Sequence, residues 1–191
     1  MRIQERGIRE WGSWKEENML QRFYPDCEAE SAYRIDYATL YREGYRGVIF
    51  DIDNTLVPHG APATQEAVEF FAKLREMGFS TMLLSNNKEP RVKSFADAVK
   101  SGYLHKAGKP GRAGYECAMK KMGTTAGTTV FVGDQLFTDI WGAGRAGIRT
   151  FLTKPIHPKE EIQIVLKRYL EKIVLYFYHR KQRRQGTHEK D

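Results

Sequence analysis

Asp51 and Asp53 stand two residues apart in the run Val48-Ile49-Phe50-Asp51-Ile52-Asp53-Asn54-Thr55-Leu56-Val57, where a short apolar stretch ends abruptly in acid. In an extended chain, residues two apart share a face. Both carboxylates are therefore expected at one spot, at the carboxyl end of a buried strand, where open α/β sheets bind ligands. Two such charges repel, and each loses hydration on burial. A cation, or an anionic substrate held through one, relieves that cost. This segment alone leaves open a plainer alternative: a solvated strand end followed by an Asn-Thr turn.

Three further positions carry related chemistry. Ser85 follows the apolar run 81–84, so its hydroxyl and the nearby backbone N–H groups can bind a phosphate oxygen. Lys109 lies between Gly108 and Pro110, a turn permissive and rigid enough to aim a point charge inward. Gly133-Asp134 ends the apolar run 129–132, and Asp139 follows within a turn. One or two carboxylates with waters are the usual protein share of a Mg²⁺ site. Taken singly, Ser85 reads equally well as an ordinary turn, and Lys109 as an exposed loop lysine.

The elements that must position these residues alternate in type. Residues 47–51 are predicted as a strand and 64–77 as a helix, with Val68, Phe71, Leu74 and Met77 along one face. A second strand is predicted at 79–84, then a helix at 90–100 facing inward with Val92, Phe95, Ala96 and Val99. A weak strand near 103–106, a helix at 113–122, a strand at 128–132, a short helix at 137–145 and a strand at 148–152 complete the pattern. Repeated β-α units with continuous apolar strands predict an α/β fold, a doubly wound parallel sheet with helices on both faces.

Four consecutive strand ends thus carry Asp-x-Asp-x-Thr, Ser, Lys, and Asp with a following Asp. This ordered set resembles the haloacid dehalogenase (HAD) superfamily of phosphotransferases, over about residues 45–153. Phe-Asp-Ile-Asp-Asn-Thr-Leu-Val (50–57), Leu-Ser-Asn-Asn (84–87) with Arg91-Val92-Lys93, Lys109-Pro110, and Gly-Asp-Gln-Leu-Phe-Thr-Asp (133–139) resemble its capless, YqeG-type branch (subclass IIIA). That branch includes the mitochondrial and plastid phosphatidylglycerophosphatases, whose start residues 19–26 also resemble. Asn54 stands where many HAD relatives have glycine. The resemblance implies that Asp51 is the nucleophile and Asp53 the general acid and base. It implies that Thr55, Ser85, Asn86 and Lys109 hold the phosphoryl group. It also implies Mg²⁺ bound by Asp51, Asp134 and the main-chain carbonyl of Asp53, with Asp139 in support. Phosphoryl transfer depends on such positioning and charge neutralisation. The implied substrate is phosphatidylglycerophosphate.

The segments between Asp51 and Ser85, and between Ser85 and Lys109, leave no room for a cap domain. An open site suits a phosphate on a large carrier. Cys27 and Cys117 are too widely separated in sequence to build a zinc loop.

The 191 residues, 41% hydrophobic and 29% charged, have the composition of a soluble globular chain. The expected organisation is an extension of unassigned fold at 1–18, a HAD-like phosphatase domain at 19–157, and an amphipathic helix with a basic tail at 158–191. Two isolated cysteines, no apolar leader-like segment in 1–18 and no run of membrane-spanning length point to the cytoplasm. Of the net charge of +7, most lies from Lys154 onward, where ten Lys/Arg face five Asp/Glu. There Ile162, Val165, Leu166, Tyr169, Leu170, Ile173 and Phe177 recur at helical spacing, followed by Arg180, Lys181, Arg183 and Arg184. This segment either packs on the sheet with a solvated basic end, or brings 173–184 into peripheral contact with an anionic membrane. The expected partner is a phosphorylated substrate, a lipid headgroup first. Two other readings stay open: a phosphatase of nucleic-acid ends or phosphoproteins, and a non-catalytic module binding RNA or ribosomes. The paired acids Asp51 and Asp53 count against the last.

Overall fold

The computed structural model describes residues 19–157 and 162–188, with side chains in the second span described from 168 to 183. The extension at 1–18, the start of the carboxyl-terminal segment at 158–161 and residues 189–191 lie outside the described residues, as do the side chains of Ile162, Val165, Leu166 and Arg184.

Six strands form one sheet: β1 (Cys27–Ala29), β2 (Gly47–Phe50), β3 (Ser80–Leu84), β4 (Gly102–Leu104), β5 (Thr129–Gly133) and β6 (Arg149–Thr153). Their order is β1-β6-β5-β2-β3-β4, and every neighbouring pair is parallel. The helices are α1 (Tyr37–Arg42), α2 (Gln65–Glu76), α3 (Glu89–Val99), α4 (Arg112–Met122), α5 (Trp141–Arg145) and α6 (Ile162–His188). The doubly wound α/β architecture is the predicted one. Alternate residues of each inner strand serve opposite faces, as the two-residue period requires. Val48, Phe50 and Leu83 pack with Phe71 of α2 and Phe95 of α3, while Ile49, Met82 and Phe131 pack with Tyr115 of α4.

The chain runs outward from β2 through β3 to β4, then returns to lay β5 and β6 on the other side of β2. The direction reverses between β2 and β5, and such switch points open a crevice at the carboxyl ends of the strands. No separate cap domain interrupts the layout: only residues 85–88 join β3 to α3, and a tight turn with an isolated Asp53–Val57 bridge follows β2.

Several elements differ from the sequence-based expectation, each for a physical reason. Helix α2 starts where Thr64 caps it, its hydroxyl accepting the Ala67 N–H at 3.1 Å. It buries Ala67, Phe70, Phe71 and Leu74, so its inner face is rotated from the expected one, and Met77 at its end is 41% exposed. Phe70 faces inward because four aromatic rings, Tyr33, Tyr37, Phe50 and Phe71, surround it. Helix α3 buries Val92, Phe95, Ala96 and Val99, the predicted face. Strand β4 is only three residues long and begins one residue earlier than expected. The expected short helix at 137–145 is a wide π-helical turn, Leu136–Ile140, running into α5. Strand β1 was not expected, since three residues show no pattern. The Asp26 carboxylate anchors it, accepting the Thr150 N–H and hydroxyl, each at 2.8 Å.

Helix α6 packs against the β1–β6 end of the sheet and the π-helical turn, yet not with the predicted face. Glu171, Val174 and Tyr178 are buried, and Val174 joins Leu136, Ile140 and Leu152. The Tyr178 ring meets Tyr24 edge-on at 5.2 Å, and His179 pairs with Glu28 at 2.9 Å. Tyr169, Leu170, Ile173 and Tyr176 are exposed. Among the described residues no helix is long and apolar enough to cross a membrane.

The rotated face of α2 is open to test by urea unfolding. Phe70→Ala should cost about 3–5 kcal/mol, as buried aromatic truncations do. Met77→Ala should change stability by no more than about 0.5 kcal/mol. Comparable losses from the two would mean that Met77 faces the core after all.

Candidate active site

The site lies at the carboxyl ends of β5, β2, β3 and β4, four strands that are direct neighbours in the sheet. Asp51 is the first residue beyond β2, and its N–H still donates to Val132 O at 3.0 Å, so the ladder holds its backbone. The Lys109 ammonium lies 2.5 Å from Asp51 Oδ1 and 2.7 Å from Asp139 Oδ1, with all three residues buried. Asn86 fixes the lysine's backbone from both sides. Its Oδ1 accepts the Lys109 N–H at 2.8 Å, and its Nδ2 donates to the Lys109 carbonyl at 3.1 Å. Gly108, at φ +67°, supplies the left-handed turn that brings Lys109 round. The amide of Asn86, expected on the phosphate, is thus engaged with Lys109. Ser85 is buried at the end of β3, its hydroxyl accepting the Asn87 N–H at 3.1 Å and keeping a hydrogen to donate.

Asp134 is the first residue beyond β5. Thr55 Oγ1 donates to its Oδ1 at 3.1 Å, and Arg168 of α6 pairs with its Oδ2. Asp139 comes from the π-helical turn, which folds its carboxylate back under the strand to accept the Gln135 N–H at 3.2 Å. Wide turns of this kind are frequent at functional sites. Gly133 makes the return possible: a Cβ there would sit 2.6 Å from Asp139 Oδ2.

Oxygens of Asp51, Asp134 and Asp139 lie within 4.8 Å of one another, and all three residues are buried. Burial pushes the Asp51 carboxyl well above the usual carboxylate range; Lys109 pulls it back, while the charges of Asp139 and Asp134 add to the rise. Burial, with Asp139 adding, pushes Asp134 up to about 7 against the pull of Arg168. Burial works against the charge of Lys109, but Asp139 and Asp51 outweigh it and hold the ammonium above the ordinary lysine range. A compact set of hard oxygen donors fits a divalent cation such as Mg²⁺.

The Asp53 carboxylate lies outside this cluster. Strand β2 ends at Phe50, and Asn54 at φ +63° turns the chain beyond it. Asp53 accepts from Asn87 Nδ2 at 2.7 Å, from the Gly60 N–H at 2.8 Å and from Arg91 at 3.0 Å. It still shares with Asp51, Ser85, Asn86 and Lys109 the walls of one cleft of about 240 Å³. Thr55 is 1% exposed, and its hydroxyl is engaged with Asp134. His59, Asn87, Gln135 and Thr138 complete the walls and were not singled out from sequence. Asn87 and Arg91 fall inside the segments that resemble the family, which is the signal that could have found them. Arg168 carries no local signal at all.

A family model described as haloacid dehalogenase-like hydrolase matches residues 59–147, a span that includes Ser85, Lys109, Asp134 and Asp139 and begins after Asp53. A Bacillus subtilis protein named "Probable phosphatase YqeG" is 33% identical over 165 residues, covering 85% of this chain and 96% of that protein. The Arabidopsis thaliana protein named "Phosphatidylglycerophosphate phosphatase 1, chloroplastic/mitochondrial" is 30% identical over 171 residues, covering 78% of this chain and 48% of that one. The chain thus spans about half of the plant protein's length. Among solved structures, the cobalt-bound deoxy-D-mannose-octulosonate 8-phosphate phosphatase of Haemophilus influenzae overlaps 71% of this chain and 90% of that one, at 15% identity and a TM-score of 0.46. The chain belongs to the haloacid dehalogenase-like hydrolases and is a phosphatase of that type. Within them it is close to YqeG and to the plant phosphatidylglycerophosphate phosphatase.

The raised pKa of Asp134 sets a pH dependence. The fold favours its neutral form, so that stabilisation is present below about pH 4 and is lost as pH rises through about 7. A cation requires the ionised form. In scanning calorimetry, the rise in Tm on adding Mg²⁺ should be larger near about pH 8 than near about pH 6. A shift as large at the lower pH would count against this carboxylate set as the cation's ligands.

Proposed function

We propose that the chain is a Mg²⁺-dependent phosphomonoesterase that converts phosphatidylglycerophosphate to phosphatidylglycerol through an aspartyl-phosphate on Asp51. One observation carries the choice of nucleophile. Of the three clustered carboxylates, Asp51 alone also lines the open cleft. It therefore meets the cation corner on one side and the substrate on the other.

Asp51 attacks phosphorus; its oxygen gains a bond to phosphorus as the ester oxygen leaves. Asp53, at the cleft wall, gives that leaving oxygen a proton. It then takes one from the water that cleaves the aspartyl-phosphate. Lys109 neutralises Asp51 and, with Ser85 and Thr55, holds the phosphoryl oxygens, while Asn86 keeps Lys109 in place. Asp51, Asp134 and the Asp53 carbonyl, supported by Asp139, would hold Mg²⁺, which when bound supplies charge neutralisation at the phosphoryl group. Carboxylate attack on a dianion needs such cations, because positioning and electrostatics dominate phosphoryl transfer.

Three features support a lipid substrate: the uncapped cleft, the name of the plant relative, and the outer face of α6. Tyr169, Leu170, Ile173 and Tyr176 stand in solvent, and Arg180, Lys181 and Arg183 follow on the same helix. An aromatic-aliphatic face beside a basic cluster suits lying on an anionic interface, each basic residue near the surface adding about 1 kcal/mol. On this reading residues 19–157 form the phosphatase unit, 158–191 an amphipathic helix and basic tail whose residues 173–184 make peripheral membrane contact at the cytoplasmic side, and 1–18 an extension.

Asp51→Asn should reduce phosphate release by more than about 10³-fold while the fold persists, and excess chelator should silence the wild type. Near-normal turnover in either case would remove the nucleophile or the Mg²⁺ assignment. Phosphate release should be fastest from phosphatidylglycerophosphate in a panel with phosphorylated oligonucleotides and peptides. A preference for nucleic-acid ends or peptides would replace the lipid reading. Sedimentation with vesicles should require phosphatidylglycerol and weaken with salt; equal binding to neutral vesicles would exclude an electrostatic interface.

A further inference from the structure

Helix α6 lies beyond the family-model match, which ends at residue 147, yet it reaches the carboxylate cluster. We propose that Arg168 is a positioning residue of the active site, which acts through Asp134 by locking its carboxylate in the orientation that serves the divalent cation. The inference rests on the cation assignment under Proposed function and assigns part of that site to the carboxyl-terminal helix.

The geometry is a fork closed on one residue. Arg168 Nη1 donates to the Asp134 carbonyl at 2.5 Å, and Nη2 pairs with Asp134 Oδ2. One planar guanidinium therefore fixes both the backbone and the side-chain rotamer of Asp134. The other carboxylate oxygen, Oδ1, takes the Thr55 hydroxyl, so Asp134 is held at both oxygens. Arg168 is itself aimed by Glu171, whose Oε2 accepts from Nη1 at 3.0 Å. Glu171 Oε1 in turn accepts the Leu136 N–H at 2.7 Å. That bond ties the chain of contacts to the turn carrying Asp139.

Docking alone does not account for this arrangement. Around it, α6 packs through Val174 against Leu136, Ile140 and Leu152. A buried ion pair in such a setting is often no more stabilising than apolar residues of similar size. Its distinctive effect is orientation. The side chain of Asp134 is 0% exposed and that of Arg168 16%, so the pair is shielded from the screening that weakens surface pairs. The guanidinium also repels a cation, but it is itself paired with Asp134 and Glu171, so its charge is balanced within the corner. Orientation therefore outweighs repulsion. Removing groups that orient metal ligands commonly costs 10–100-fold in metal affinity or activity.

The test uses the full chain and Mn²⁺ as a spectroscopic substitute for Mg²⁺, with free Mn²⁺ measured by electron paramagnetic resonance. Arg168→Gln should weaken Mn²⁺ binding by about 10–100-fold. Arg168→Lys, which keeps the charge but loses the fork, should recover only part of that affinity. A folded Arg168→Gln protein that binds Mn²⁺ as tightly as the wild type, or more tightly, would overturn the proposal. If Arg168→Gln does not fold, Arg168→Lys decides: affinity equal to the wild type overturns the role of the fork, and a clear loss supports it. Failure of the wild type to bind Mn²⁺ would instead refute the cation assignment, and this inference with it.

Discussion

Three carboxylates buried within 4.8 Å of one another repel strongly, and the surrounding structure supplies the cations that let them stay. Two unit charges 4 Å apart interact with about 4 kcal/mol at an effective dielectric near 20. Lys109 meets most of that demand by lying between Asp51 and Asp139. It can do so only because its backbone is clamped by Asn86 at the end of β3 and turned by Gly108 after β4. The missing side chain of Gly133 belongs to the same solution, since Asp139 returns beneath it. The identities of Asn86, Gly108, Gly133 and Lys109 thus follow from one electrostatic requirement.

The sheet makes that requirement reachable. Asp134, Asp51, Ser85 and Lys109 are scattered over some 80 positions of sequence but leave four adjacent parallel strands at the same edge. Because the winding reverses between β2 and β5, no crossover helix covers the gap between Asp51 and Asp134. Parallel pairing of Phe50 with both Leu83 and Val132 sets the strand ends level. A one-residue slip in either pairing would turn Asp51 to the wrong face.

What could be read from sequence follows from the range of the interaction. The inner face of α3 was legible because Val92, Phe95, Ala96 and Val99 carry their own period, and the strand-end residues were legible because each follows an apolar run. The face of α2 was displaced because Phe70 is chosen by four rings, three of them, Tyr33, Tyr37 and Phe50, from outside the helix. The partners of Asp53 depend on the turn beyond β2, closed by the Asp53–Val57 bridge and bent by Asn54, so a two-residue spacing did not place it in the cluster. In α6 the apolar residues occupy more than one side. The side that goes inward is selected by Arg168 and Glu171, polar residues that a hydrophobic pattern assigns to solvent. Their partners, Asp134 and Leu136, lie more than thirty positions away.

An uncapped cleft leaves two tasks that lids perform in other enzymes, excluding water and committing a substrate. The walls here are short loops, and the Asp53 side chain, 13% exposed, lies beside His59, which is 46% exposed. Closure must then come from whatever carries the phosphate. Helix α6 is the element placed to join the two. Its inner side holds Asp134 through Arg168, and its outer side shows Tyr169, Ile173 and Tyr176 to solvent. From Arg168 to Tyr176 the helix advances about 12 Å at 1.5 Å per residue. On the lipid reading, the face that meets the interface and the residue that holds Asp134 lie on one helix, so contact with the surface and the orientation of the acid share a single element.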